Sequence, residues 1–429
     1  MAVYLGNNPV SVYNGGQPII VESGQYAWER YKYTPSYLSF IGNEEFTLKT
    51  KNTTKNWNGT LEYSTDTTTW NIWDGTEISS SGNNLYLRGI DNSVITGLID
   101  GGTPADSSFV FTGTDTLRIS CEGNIENLLD YETVGIGNHP TMDFHCYTGL
   151  FYECTSLTTA PELPATTLIN MCYEYMFYGC TNLIIAPELP ATTLANYCYE
   201  YMFKNCTSLT TPPNILPATT LAISCYYYMF DGCTSLTMAP ELPATILAEN
   251  CYYGMFYNCT SLTTTPELPA ITLAISCYRL MFKNCTSLTT VPELPATILP
   301  ESCYREMFNN CTSLTITPEL SATTLADYCY RRMFYNCTSL ITLPKLPATE
   351  LFYRCYYQMF SNCTNIKLSS TQTEEYQTAY RIPLSGTGTE DPDFTLKALE
   401  DMFINTGGTF TGTPTINTTY YLSTSNTVV

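Results

Sequence analysis

The sequence predicts an α/β solenoid of nine units of about 26 residues, with parallel strands and short helices, preceded by an all-β sandwich domain. Three observations predict it. Cysteines recur at 146, 154, 172, 180, 198, 206, 225, 233, 251, 259, 277, 285, 303, 311, 329, 337, 355 and 363, with gaps alternating 8 and 18 and a single 19 after Cys206. Each unit repeats the pattern C-Y-x-x-M-F-x-N-C-T-S-L-T-x-x-P-E-L-P-A-T-T-L. Upstream, residues 35–120 lack that pattern and instead alternate polar with apolar or aromatic residues, as in LEYSTDTTTWNIWDG and NNLYLRGIDN. A fixed period of this size marks stacked repeats, none of which buries its apolar face alone.

Composition narrows the function. Charged residues are 13% of the 429-residue chain, about half the usual share, so Thr, Ser, Asn and Tyr must supply the polar surface. The net charge of −21 repels phosphate backbones and argues against nucleic acid as a partner. No apolar run approaches 18 residues, so no membrane insertion is expected. The opening MAVYLGNNPVSVYNGG has neither a basic region nor an apolar stretch of the secretory kind, so no signal peptide is expected.

The elements follow in chain order. Residues 1–34 are too short for a domain and read as a docking segment; residues 35–120 read as the β-sandwich, with Trp57, Trp70 and Trp73 in its core. Residues 121–145, with GNIENLLDYETVG, read as an N-terminal half-repeat cap, and 146–370 as the repeats. Within a unit, the segment up to the second cysteine reads as a short helix, because Leu194, Cys198 and Met202 lie at i, i+4 and i+8. Gly179, Asn205 and their equivalents precede the second cysteine and suit a left-handed helix end. C-T-S-L-T-x-x reads as a strand and the prolines as the bend that ends it. Parallel strands about 4.8 Å apart would make a rod of roughly 40–45 Å. Residues 371–429 read as an insert plus a degenerate capping repeat, in which Ala398 and Thr406 replace the two cysteines.

The cysteines read as two ladders of reduced, buried small hydrophobes. C-x7-C is not a zinc spacing and no histidine lies in the repeated pattern, so neither metal nor cofactor is expected. The two histidines, His139 and His145, read as structural, and no catalytic motif is present, so no enzyme and no catalytic residue is expected. Glu162, Glu188, Glu241, Glu267, Glu293 and Glu319 share one position and read as an exposed loop edge, with a divalent cation bridging neighbours as the alternative. One variable row lies two residues after the first cysteine: Glu174, Glu200, Tyr227, Tyr253, Arg279, Arg305, Arg331 and Tyr357, with Thr148 before them. Variation on a constant frame marks outward positions, so this row is the candidate binding stripe.

The recurring M-F-x-N-C-T-S-L, as in MFKNCTSL at 202–209 and again at 281–288, resembles the BspA-like leucine-rich repeat family over about 146–370. LEYSTDTTTW, LYLRG and GNIENLLD are similar to the module before such repeats in proteins of phages infecting gut bacteria, and the opening segment is similar to the start of virion and tail-associated proteins. The resemblance implies a phage virion fibre or receptor-binding protein located on the virion. Its N-terminus would hold other virion proteins, and its repeats would bind a host surface glycan or protein. Fibre symmetry favours a homo-oligomer, a trimer before a dimer. A bacterial cell-surface adhesin is the alternative, and a surface-glycan depolymerase the further one.

Overall fold

The computed structural model describes residues 36–52, 55–96, 108–382 and 397–429, together with the backbone of four short strands between residues 4 and 19. Of these, β1 (Tyr4–Leu5) pairs antiparallel with β2 (Asn8–Pro9), and β3 (Val12–Asn14) with β4 (Gln17–Ile19). The rest of the expected docking segment, and residues 383–396 of the expected insert, lie outside the described residues.

Two sheets follow. The strands are β5 (Leu38–Gly42), β6 (Thr47–Thr50), β7 (Thr60–Ser64), β8 (Asn71–Trp73), β9 (Ile78–Ser79), β10 (Asn84–Ile90), β11 (Phe109–Thr112) and β12 (Ile119–Glu122). One sheet runs β12-β5-β10-β7-β8 and the other β11-β6-β9. Strict alternation in β10 buries Leu85, Leu87 and Gly89 on one face. Aromatic rings fill the core: Trp57 and Trp73 stack at 5.3 Å, and Trp73 meets Phe109 edge-on at 5.7 Å. Trp70 differs from the other two; it is half-exposed and stacks on the Arg88 guanidinium at 4.1 Å.

A short helix, α1 (Asn127–Gly135), buries Leu128 and Leu129 against β10. The approach is close enough to require glycine at position 89, where a Cβ would stand 1.6 Å from the Leu128 carbonyl oxygen. β13 (Leu157–Thr159), in the first repeat, then pairs in parallel with β12, so the larger sheet runs on into the repeats.

The repeats stack in register. The N–H of Tyr147, Gly149, Phe151 and Glu153 donates to the carbonyl of Cys172, Glu174, Met176 and Tyr178 in the next coil; the same bonds recur along the stack, as Tyr226 to Cys251 and Phe308 to Met333. The alternate residues bond within their own coil, three residues back: Leu150 to Tyr147, Tyr152 to Gly149, Cys154 to Phe151. The coils thereby bury one Cys, Tyr, Met (Leu150 in the first), Phe, second Cys and Leu (Ile366 in the ninth) from this half, and the first eight also bury a Leu and an Ala from the Pro-bounded half. Phenylalanine rings of adjacent coils stack almost parallel at 5.4 to 5.7 Å, from Phe151–Phe177 to Phe360–Phe403.

The helices expected in the units are not there. Every fourth residue is left-handed: 145, 149 and 153 in the first unit, Met171, Tyr175 and Gly179 in the second, Tyr197, Tyr201 and Asn205 in the third. A run of four-residue turns gives the same i, i+4 apolar spacing as a helix. It also leaves alternate N–H groups free for the neighbouring coil, whereas an α-helix would consume them internally. The strands expected over C-T-S-L-T-x-x shrink likewise to β13 in the first unit, two-residue strands at Thr342–Leu343 and Leu368–Ser369 in the last two, and single bridges such as Thr159–Ile185 and Ile185–Thr211 between. The one extra residue is absorbed near Asn214. There Asn214 takes the place of the repeated glutamate and donates from Nδ2 to Glu188 at 2.6 Å.

At the far end, β14 (Thr342–Leu343), β15 (Leu368–Ser369), β16 (Tyr376–Arg381), β17 (Thr419–Ser423) and β18 (Thr427–Val428) close the stack. β18 pairs in parallel with β14, and β17 lies between β15 and β16. Tyr356, Gln358, Phe360 and Asn362 donate to Ala398, Glu400, Met402 and Ile404, repeating the ladder of the other coils.

Candidate functional site

The four-residue turns set which side chains leave the coil. Their inward positions carry the invariant Cys, Tyr, Met and Phe; the second, third and sixth residues after the first cysteine are free to vary. Glu174, Glu200, Tyr227, Tyr253, Arg279, Arg305, Arg331 and Tyr357 all lie partly buried along one line, one per coil. Thr148, at the head of that row, is buried instead, its hydroxyl donating to the Met171 carbonyl at 2.6 Å. Two adjacent rows share the face and escaped the sequence reading. One runs Tyr175, Tyr201, Tyr228, Gly254, Leu280, Glu306, Arg332 and Gln358, and the other includes Tyr178, Lys204, Asp231, Tyr257 and Lys283. The signal for them was the same column-by-column variation, present also at the third and sixth positions after the cysteine.

The face is graded. At its acidic end Glu174 and Glu200 are largely shielded from water: burial pushes the Glu174 carboxyl up to about 7, and burial with the Glu174 charge pushes Glu200 up to about 8. His145 Nδ1 stands 3.7 Å from Glu174, and burial lowers the imidazole below its ordinary value. The middle is aromatic: Tyr175 and Tyr201 stack at 4.8 Å, as do Tyr227 and Tyr253. Lys204 lies over both Tyr201 and Tyr228 and pairs with Asp231 at 3.0 Å. The far end is basic. Arg279 lies over Tyr253 at 5.0 Å, Arg331 over Tyr357 at 5.2 Å and Arg354 over Tyr357 at 4.9 Å.

Behind the face, the second cysteine of each coil donates its S–H to the phenylalanine carbonyl of the coil before, as Cys259 to Phe230 at 3.1 Å. All nineteen cysteines are free and buried. The exposed glutamates of the Pro-Glu-Leu edge stand apart from this face, and among the described residues no group of three or more His, Cys, Asp or Glu is placed to hold a metal ion. Elsewhere, a cleft of about 620 Å³ opens between β6, β11 and the first coils, lined by Lys49, Lys51, Arg118, Tyr152 and Glu153. His139 lies away from the face, its Nδ1 2.8 Å from the buried Glu126 carboxyl.

Residues 147–263, 199–341 and 249–381 match the BspA type leucine rich repeat region, six copies in all, together more than half of the chain. Among curated proteins none matches. Among solved structures, a leucine-rich repeat protein from Bacteroides ovatus is similar at 17% identity, with 63% of this chain and 93% of that one covered and a TM-score of 0.18.

Proposed function

The chain belongs to the BspA-type leucine-rich repeat family, and on that premise we propose that it is a non-enzymatic binding protein, a phage virion fibre or tail-associated protein that adheres to the host surface. The observation that carries the reading is the graded face: three neighbouring rows vary in charge and size from coil to coil, while the inward rows change only at Leu150 and Ile366, apolar for apolar. Such a division lets a surface diversify without refolding the frame that presents it. Tyrosine suits the task, because a rigid amphipathic ring provides contact area at low entropy cost.

The arrangement proposed is a solenoid projecting from the virion, held by residues 1–34 on other virion proteins, in a homo-oligomer favouring a trimer. Similarity of the opening segment to virion-protein starts supports that end as the anchor. A chain lacking residues 1–34 is expected to fold, to bind host cells and to fail to incorporate into particles. Incorporation of the truncated chain, or undiminished cell binding after removal of the coils from 225 to 354, would overturn the proposal.

A further inference from the structure

We propose that the basic end of the face, from Arg279 to Arg354, binds an acidic linear polysaccharide whose carboxylate-bearing sugars run along the stack, one sugar to a coil. The inference rests on the binding role above and names the ligand class for part of that face. Five of the chain's nine arginines lie there, at 279, 305, 331, 332 and 354, in a chain whose net charge is −21. That concentration opposes the average and places like charges on successive coils, an arrangement that is destabilising unless something anionic comes between them.

The protein itself supplies too little counter-charge. Among the described residues Glu306 is the carboxylate within 4 Å of these arginines, and it is already held by Lys283 at 2.7 Å while standing 3.5 Å from Arg305 Nε. The Nε atoms of Arg279, Arg331 and Arg354 are buried and have no hydrogen-bond partner among the described residues. A donor without an acceptor is unfavourable, and these three, spread over four coils, leave the outer N–H groups of the same guanidiniums as the ones a ligand's oxygens would reach. Their guanidinium groups are meanwhile fixed by the tyrosine rings beneath them, which pre-organises the forks for carboxylate.

Spacing selects the polymer. Buried tyrosines of successive coils here lie 5.6 to 5.8 Å apart, and parallel coils stack at about 4.8 Å. An extended acidic peptide presents side chains on one face every ~6.8 Å and falls out of step within a few coils. A chain of pyranose rings repeats close to the coil spacing and stays in step, and its ring faces suit the aromatic neighbours. The remaining acidic charges of the chain act weakly on this row, because exposed charges beyond about 8 Å are screened at physiological ionic strength.

The test is calorimetric titration of the full chain with oligogalacturonate, with the same oligomer fully methyl-esterified, and with poly-glutamate, each beside a host-cell binding assay. Oligogalacturonate is expected to bind, more weakly as salt rises, and the ester and the peptide not to bind. Arg331→Gln and Arg279→Gln should each weaken binding about tenfold or more, the loss of one charge-assisted contact. Arg331→Lys should fall between, because it keeps the charge and loses the fork. Glu267→Gln, on the Pro-Glu-Leu edge apart from this face, should leave the affinity unchanged. Equal binding of the ester or of poly-glutamate, or full affinity in both glutamine variants, overturns the inference. Cell binding that persists through the coils without any acidic-glycan binding overturns it while leaving the adhesion reading intact.

Discussion

The left-handed asparagines carry two duties at once. Asn310 holds a φ of 64° and its Nδ2 donates to Asn284 at 3.0 Å, while Asn336 donates to it at 2.6 Å. Asn310→Ala should cost about 2 kcal/mol or more, one part for the amide ladder and one because alanine tolerates the left-handed region less well than asparagine, whose short polar side chain bonds locally. Asn310→Gly should cost clearly less, since it relieves the second part. Denaturant unfolding compares the two; equal costs would show that the backbone conformation is not the constraint. Glu200 gives a pH signature. Burial holds its folded pKa at about 8, above the ordinary value of 4.5, so the folded state favours its protonated form. That contribution is full below pH 4.5 and is lost as pH rises through about 8. Glu200→Gln should therefore raise the thermal midpoint at pH 8.5 and leave it little changed at pH 4.5. No difference between the two pH values would count against burial as the cause. The thiols follow the same logic: burial raises them, Cys206 for one far above its ordinary value, and native protein should react with less than one equivalent of a thiol reagent, against all nineteen after denaturation.

The coil is the element, and its unit of exchange is a whole period. Around this unit each alternate N–H reaches a carbonyl 25 residues on, so removing exactly residues 251–276 returns every donor to an equivalent acceptor. That deletion should fold with unfolding cooperativity retained, whereas removal of residues 251–263 alone should not, as read by chemical denaturation. The cysteine ladder ties the coils a second way, since Cys233 reaches Phe203 across the longer unit as readily as Cys259 reaches Phe230 across an ordinary one. A bond that survives the one-residue irregularity shows that the irregularity is confined to the Pro-bounded half, around Asn214.

At the scale of the molecule, both ends of the stack are covered. β12 continues the ladder at one end, and at the other Phe403 lies on Phe360 at 5.6 Å while β17 and β18 pair with β15 and β14. A stack cut open exposes an edge of unpaired backbone groups and a row of rings, which invites association. A chain ending at residue 382 should self-associate in sedimentation at concentrations where the full chain does not. A monodisperse truncated chain would show that the last coil needs no cover.

The nine-fold period, the inward rows and the variable outward row were legible in the sequence, because each depends only on which residue recurs, or fails to recur, at which spacing. Leu157, Leu183 and Leu209 announce a core wherever the backbone goes. The path of the backbone was not legible. Leu194, Cys198 and Met202 fall on one stripe in a helix and equally in a run of four-residue turns, and local spacing does not distinguish them. What separates the two is where the alternate N–H groups go, and that is settled by a carbonyl in another coil. The same holds for the face itself. Glu174 and Tyr175 are neighbours in sequence, but the stacking of Tyr175 on Tyr201, and of Arg331 over Tyr357, exists only once coils are laid side by side.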